Sequence, residues 1–138
     1  MNETNQLGDL LITVYKHLKT RIEKDLKQYD IGMGQLQILM VFYGLKKPLT
    51  QQELVKILQI DKANISRSVA RLVSKGYLIP TSENRSYQLS DQGQQLRSEI
   101  GATFSAVNAM MTQAISSTDI QSTVDTLSMI QKNLKDNA

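Results

Sequence analysis

The chain contains no cysteine, and this absence excludes several kinds of chemistry at once. Without a thiol there is no disulfide, no thiolate metal ligand, no cysteine nucleophile and no thiol-based redox sensor. The single histidine argues against a histidine-rich metal site. No Gly-rich phosphate loop, acid pair or nucleophile–base grouping stands out either. We therefore expect no enzyme, no metal site and no cofactor.

Long apolar runs are also missing. The longest, from Ile38 to Tyr43, is far too short to span a bilayer. The first residues, MNETNQLGDL, lack the basic stretch and apolar run of a secretory signal. The sequence thus predicts a soluble cytoplasmic protein without a membrane partner, and its 138 residues are enough for one domain with its own core.

Charge is distributed unevenly along the chain. Residues 1–30 carry five basic and five acidic side chains, residues 31–90 carry eight against three, and residues 91–138 carry three against five. The middle segment thus has a charge of +5 while the last has −2. A polyanionic partner is expected to meet the middle of the chain, although basic surfaces are often only solvated.

Apolar spacing predicts helices at both ends of the chain. Residues 7–29 repeat apolar side chains at steps of three and four, and a second helix follows the Asp30–Gly32 break and ends at Gly44. After residue 90 a long helix is predicted, then an interruption at residues 116–118 and a last helix starting with Thr118 as its cap. The side chains expected to face a core include Met40 in the second helix and Ile57 in the third.

The most informative stretch runs from Thr50 to Gly76 and predicts two short helices separated by a tight break. Thr50 and Glu53 form a capping box at the start of the first, and Asp61 caps the second. The second helix has an apolar face, made by Ile65, Val69, Leu72 and Val73. Small, polar and basic residues oppose this face, and such side chains can approach a DNA groove and bond base edges and phosphates.

A hairpin follows this pair of helices. Residues 77–79 and 87–89 read as two short strands, with the tip at residues 82–86 and Pro80 restricting the first strand to an edge. The fold class is therefore mostly α with a small two-stranded wing: a winged helix-turn-helix flanked by amino- and carboxy-terminal dimerisation helices. We interpret residues 1–138 as a single domain, in which residues 31–90 form the DNA-binding lobe and residues 1–30 and 91–138 the dimerisation helices.

This arrangement resembles the MarR family of bacterial and archaeal transcription regulators over nearly the whole chain. The resemblance rests on five segments in order, namely residues 31–39, 49–54, 60–67, 72–78 and 89–93. It implies a homodimer that places two recognition helices in successive major grooves of a pseudo-palindromic operator, with each wing reaching a minor groove. Three departures from the family pattern are a shorter and less basic wing, Asn84 where the family often has Asp before Arg85, and Gln59 where Gly commonly ends the third helix.

The leading hypothesis is a homodimeric, sequence-specific regulator of transcription that binds double-stranded DNA, a repressor released by a small ligand. The expected DNA-binding residues are Thr50, Gln51, Lys62, Ala63, Asn64, Ser66, Arg67, Arg71 and Arg85. The resemblance also implies a pocket for an aromatic or carboxylate effector, for which Tyr15, Arg21 and Tyr43 are suitable by residue type. The alternative function is a winged-helix module that docks an acidic protein instead of DNA.

Overall fold

A computed structural model describes the backbone of residues 3–138 and the side chains of residues 6–138. The first two residues of the predicted dimerisation segment 1–30 lie outside this range. The described residues form the elements α1 (Glu3–Asp25), a 3-10 turn (Lys27–Tyr29), α2 (Met33–Leu45), β1 (Leu49–Thr50), α3 (Gln51–Leu58), α4 (Lys62–Ser74), β2 (Leu78–Pro80), β3 (Ser86–Leu89), α5 (Asp91–Met111) and α6 (Ser117–Asp136). The chain divides into two compact units, Met1–Phe104 and Ser105–Ala138. Within residues 3–138, no helix is both long and apolar enough to cross a membrane.

The winged helix-turn-helix is confirmed, and its sheet is larger than predicted. The sheet has three antiparallel strands in the order β1-β3-β2. Leu49 pairs with Tyr87 and Thr50 with Ser86, so a third strand joins the two expected ones. The sequence missed β1 because two residues are too few to show alternation. Pro80 lies in the edge strand β2, as predicted, where its missing N–H breaks no ladder bond.

The core of the first unit is the contact between α2 and the inner face of α4. Ile65, Val69 and Leu72 of α4 are almost fully buried, together with Leu36 and Phe42 of α2. The two helices approach closely at Gly34: a Cβ atom added there would lie only 3.0 Å from the Ser68 hydroxyl. The predicted apolar face of α4 is therefore confirmed, and it fixes which face of α4 remains outside.

Four local predictions are wrong. The first helix ends at Asp25 and is followed by a 3-10 turn, so it does not continue to residue 29. Met40 and Ile57 are 45% and 48% exposed, because each lies on the outer side of its helix. The last helix is capped by Ser116, whose hydroxyl accepts the Asp119 N–H at 3.1 Å, and so it begins before Thr118.

Candidate nucleic-acid interface

The amino end of α4 carries a chain of hydrogen bonds on its exposed face. The Asp61 carboxylate caps the helix by accepting the Asn64 N–H at 2.8 Å, and it also accepts the Asn64 side-chain amide at 2.7 Å. The Arg67 guanidinium donates in turn to the Asn64 side-chain oxygen. Both polar groups of Asn64 are thus engaged within the helix, whereas the Arg67 guanidinium keeps other donors free. Of the two, Arg67 is better placed to bind an external acceptor.

The outer face of α4 is basic and polar along its length. Its exposed positions are Lys62, Ala63, Asn64, Arg67, Ala70 and Arg71, while Ser66 is half-buried. Among side chains 6–138, the ion pairs within 4.0 Å join Arg21 to Asp25 and Lys75 to Asp30. Within this distance, no carboxylate pairs with the cations on this face of the described chain.

The start of α3 shows the predicted capping box. The Thr50 hydroxyl accepts the Glu53 N–H, and the Glu53 carboxylate accepts the Thr50 N–H, both at 3.1 Å. This engages the only carboxylate of α3 in a structural bond. Gln59, which ends the helix, has φ 55°, in the left-handed region. Gln59 therefore adopts the conformation for which Gly is the usual choice at a helix end.

The wing tip is a tight turn with two left-handed residues. Asn84 and Arg85 have φ 50° and 57°, and the Ser86 N–H donates to the Glu83 carbonyl at 2.9 Å. These features match a type I′ turn from Glu83 to Ser86, which lies inside the longer loop 81–85 that joins β2 to β3. The Thr81 hydroxyl braces the turn by accepting the Glu83 N–H at 3.1 Å. Arg85 is therefore presented from a short tip with few conformational choices.

A cleft of about 540 Å³ separates the wing tip from the two helices of the motif. We call it the interface cleft; it is lined by Thr50, Gln51, Gln52, Val55, Lys62, Asn84, Arg85 and Tyr87. The structure thus brings four of the predicted site residues together, Thr50, Gln51, Lys62 and Arg85. The remaining five, Ala63, Asn64, Ser66, Arg67 and Arg71, lie beyond this cleft on α4.

Sequence reasoning missed Tyr87 as a site residue. Tyr87 lies in β3 opposite Leu49, and its hydroxyl accepts the Gln51 side-chain N–H at 3.4 Å. The available signal was the alternation of β3, in which Ser86 is buried and Tyr87 is half-buried on the other face. Without β1 in the predicted sheet, there was no reason to place Tyr87 beside the start of α3.

The carboxyl end of α4 is tied to elements far away in sequence. The Lys75 ammonium donates to the Asp30 carbonyl and, at 2.7 Å, to the Gln35 side-chain oxygen. The Tyr77 hydroxyl donates to the Tyr29 carbonyl at 3.1 Å, and burial together with the nearby charge of Asp30 raises the pKa of Tyr77. These bonds fix the orientation of α4 on α2 and on the 3-10 turn.

The residues predicted to line an effector pocket have separate surroundings. Tyr15 is 50% exposed on α1, and Arg21 is paired with Asp25 at 3.2 Å. Tyr43 is buried in α2; its hydroxyl donates to the Gly93 carbonyl at 2.7 Å, and burial raises its pKa to about 12, against the opposing charge of Arg97. None of the three lines the interface cleft. In the part of the chain with described side chains, no group of three or more His, Asp or Glu residues could hold a metal ion.

Comparison with known proteins agrees with this geometry. The model of the MarR family matches residues 29–85, which contain α2, the helix-turn-helix pair and most of the wing. The "HTH-type transcriptional regulator BilQ" of Clostridioides difficile (strain CD3) is 23% identical over 130 residues, covering 91% of this chain and 87% of that protein.

Solved structures share the fold over nearly the full length. A MarR transcriptional regulator from Methanosarcina mazei Go1 superposes with a TM-score of 0.86 at 21% identity, covering 97% of this chain and 99% of that one. A putative MarR family regulator from Listeria monocytogenes, complexed with a 26mer DNA, has a TM-score of 0.81 at 22% identity and covers 99% and 91%. Residues 29–85 thus match the MarR family model, and the chain shares the fold of solved MarR-family regulators.

Proposed function

We propose that this chain is a transcription regulator of the MarR family. In this proposal it is a cytoplasmic homodimer that binds a pseudo-palindromic operator in double-stranded DNA and represses transcription until a small ligand releases it. The observation that carries the proposal is the juxtaposition of two basic elements across the interface cleft. Lys62 lies at the amino end of α4 and Arg85 at the wing tip, and both line this cleft. A similar fold in the Listeria protein is complexed with DNA, which supports the same partner for this chain.

The proposed docking follows from the sizes of the elements. A helix such as α4 fits the major groove, whereas a thin hairpin tip suits the narrower minor groove. If α4 occupies the major groove and the hairpin tip occupies the adjacent minor groove, the sugar–phosphate backbone between the two grooves passes through the interface cleft. Lys62 and Gln51 are then phosphate contacts, while Arg67 and Arg71 on the outer face of α4 meet base edges or more distant phosphates.

The structure suggests different roles within the predicted set of DNA-binding residues. Thr50 and Asn64 form hydrogen bonds in helix caps. We therefore propose that their main role is to hold α3 and α4 in position, and that direct contact with DNA is secondary. Ala63 is small and exposed, which allows close approach to a base, and Ser66 is half-buried at the edge of the contact. The cations remain the main contributors to affinity, because phosphate neutralisation dominates binding to DNA.

The dimer proposal rests on apolar side chains that the single chain leaves exposed. On α1 they include Leu7, Leu10, Ile12 and Val14, and in the unit Ser105–Ala138 they include Val124, Leu127, Met129 and Leu134. Contiguous apolar surface of this kind marks an interaction site. We therefore keep residues 1–30 and 91–138 as proposed dimerisation segments around the proposed DNA-binding lobe, residues 31–90.

The decisive experiment is a salt titration of binding to duplex DNA. Counterion release makes the logarithm of the binding constant fall steeply and linearly with the logarithm of salt concentration, with a slope of about −0.9 for each phosphate contacted. A steep slope on operator DNA, found by sequencing the DNA that co-purifies with the protein, supports the proposal. The protein-docking alternative predicts no DNA binding above background at any salt concentration.

Release by a ligand is tested separately. Aromatic acids at millimolar concentration should lower operator affinity if the proposed pocket near Tyr15, Arg21 and Tyr43 exists. A ligand that binds the DNA-competent and DNA-incompetent states equally would raise the melting temperature without changing DNA affinity. An unchanged melting temperature together with unchanged DNA affinity would remove this part of the proposal.

A further inference from the structure

A second basic concavity lies at the base of the wing. It has a volume of about 510 Å³, and its walls include Phe42, Lys46, Lys47, Leu89, Gln94 and Arg97. We call it the basic cleft. Three of these six side chains are cations and none is a carboxylate. Part of the positive charge of the chain is therefore gathered away from the face proposed for DNA.

The backbone around the basic cleft is held in place. Lys46 ends α2 in the left-handed conformation, with φ 55°, and its N–H donates to the Phe42 carbonyl at 2.9 Å. Pro48, which also lines the cleft, fixes its own φ and restricts Lys47 before it. The two consecutive lysines therefore leave α2 at a defined position.

Arg97 reaches the basic cleft from α5 and is also held. Its guanidinium carbon lies 5.9 Å from the centre of the Tyr43 ring, which is the distance of a cation–π contact. Tyr43 is in turn fixed by the bond from its hydroxyl to the Gly93 carbonyl. A guanidinium placed in this way is partly ordered before any anion arrives, which lowers the entropy cost of binding one.

Helix dipoles explain only part of this arrangement. Lys46 and Lys47 lie at the carboxyl end of α2, where cations are favoured, but Arg97 lies in the second turn of α5, where the helix field disfavours them. No carboxylate lies within 4.0 Å of any of the three cations among side chains 6–138. The three like charges around one concavity therefore lack an internal counter-ion in the described chain.

We propose that the basic cleft binds a small multivalent oxyanion, carrying two or more phosphate or carboxylate groups. Three cations that line one cleft match several negative charges better than one. The amide side chains of Gln88 and Gln94 supply further donors at the wall, and Phe42 and Leu89 supply an apolar surface for the body of the molecule. A concave site of this volume suits a small molecule.

The position of the basic cleft separates it from the proposed DNA interface. Thr50, at the interface cleft, pairs with Ser86 near the wing tip, whereas Gln88 and Leu89 lie toward the other end of β3. Lys47 comes just before β1, nearer along the chain to Leu49 than to Thr50. The proposed anion site therefore does not depend on DNA binding, and it can be tested on the protein alone.

The test is isothermal titration of the full-length chain with pyrophosphate and with citrate at constant ionic strength and without DNA. We expect saturable binding of at least one of these probes and no binding of acetate. Lys47→Gln and Arg97→Gln should each weaken binding by about tenfold or more, as expected for the loss of one charge-assisted hydrogen bond. Lys56→Gln removes an equal charge from an exposed position in neither cleft and should leave binding unchanged.

A charge-conserving variant and a folding control distinguish loss of the anion site from loss of structure. Arg97→Lys retains the charge and should restore most of the affinity lost in Arg97→Gln, and circular dichroism confirms that both variants are folded. Absence of binding to pyrophosphate and citrate at 10 mM, or an equal loss in Lys56→Gln, would overturn the proposal. If instead Lys47→Gln lowers only the salt dependence of DNA binding, the lysine is a backbone contact and the anion site is wrong.

Discussion

Arg67 and Arg85 approach the proposed DNA from different elements, so their side chains should contribute in different ways. Arg67 lies in the middle of α4 and is linked through Asn64 to the capping carboxylate of Asp61. Arg85 lies on a short turn and lines the interface cleft. The major groove distinguishes all four base pairs, whereas the minor groove distinguishes mainly A·T from G·C. Sequence preference is therefore expected to depend on Arg67.

We predict that Arg67→Ala weakens operator binding by about 1–3 kcal/mol and relaxes the sequence preference if the guanidinium reads a base. Arg85→Ala should cause a smaller loss that is similar for operator and unrelated DNA. Binding curves for both variants on operator and scrambled duplexes test this division. Loss of all binding in Arg85→Ala, with no effect in Arg67→Ala, would show that the wing and not α4 leads recognition.

Gln59 has a left-handed backbone conformation, which is less favourable for a residue with a Cβ atom than for glycine. A non-glycine residue at φ 55° costs about 1 kcal/mol relative to Gly. Gln59→Gly should therefore raise the free energy of unfolding by up to about 1 kcal/mol, measured as an increase in the urea midpoint. As a control, Lys56→Gly inside α3 should lower it by about the same amount, since Gly is a poor helix former. A destabilised Gln59→Gly variant would contradict the assigned left-handed turn.

At the level of elements, the helices were predictable where a side chain caps them or a face is regularly apolar. The Thr50–Glu53 box and the Asp61 cap located α3 and α4, because both motifs are short and local. The two-residue strand β1 and the end of α1 at Asp25 were not predictable, since pairing with β3 and local turn geometry carry no periodic signal. For the proposed site, the cations could be predicted from residue type and helix face, whereas the positions of Tyr87 and of the basic cleft depend on tertiary contacts that the sequence does not show.

The junction between the sheet and α5 depends on close backbone contact. A Cβ atom at Gly93 would lie 2.2 Å from the Tyr77 carbonyl oxygen, which cannot move independently of its backbone. Gly93→Ala should therefore destabilise the protein by about 1–3 kcal/mol, as overpacking does elsewhere. Gly101→Ala in the same helix is the matched control, because nothing lies within 4 Å of its added Cβ and Ala is the better helix former. Equal unfolding midpoints for the two variants would contradict the predicted contact.

At the scale of the whole molecule, the described chain leaves a long amphipathic helix without a partner. The 20-residue α6 has no buried side chain, although Ile120, Val124, Leu127, Ile130 and Leu134 recur along it at helical spacing. Most of the stability of a helix in a protein comes from burying its apolar face. The economical solution is a second copy of the chain, and an isologous contact of this kind also supplies the twofold symmetry that a pseudo-palindromic operator requires.

One substitution on α6 tests the proposed dimer contact. Leu127 is 42% exposed in the single chain, so Leu127→Asp costs little in a monomer but places an unpaired charge in a dimer interface. We expect this variant to sediment as a monomer or to lose helical content, and to bind operator DNA far more weakly. Ser122→Asp adds the same charge on the opposite side of α6 and should remain dimeric. A wild-type chain that sediments as a fully helical monomer at micromolar concentration, or a Leu127→Asp variant that dimerises normally, would contradict the proposed interface.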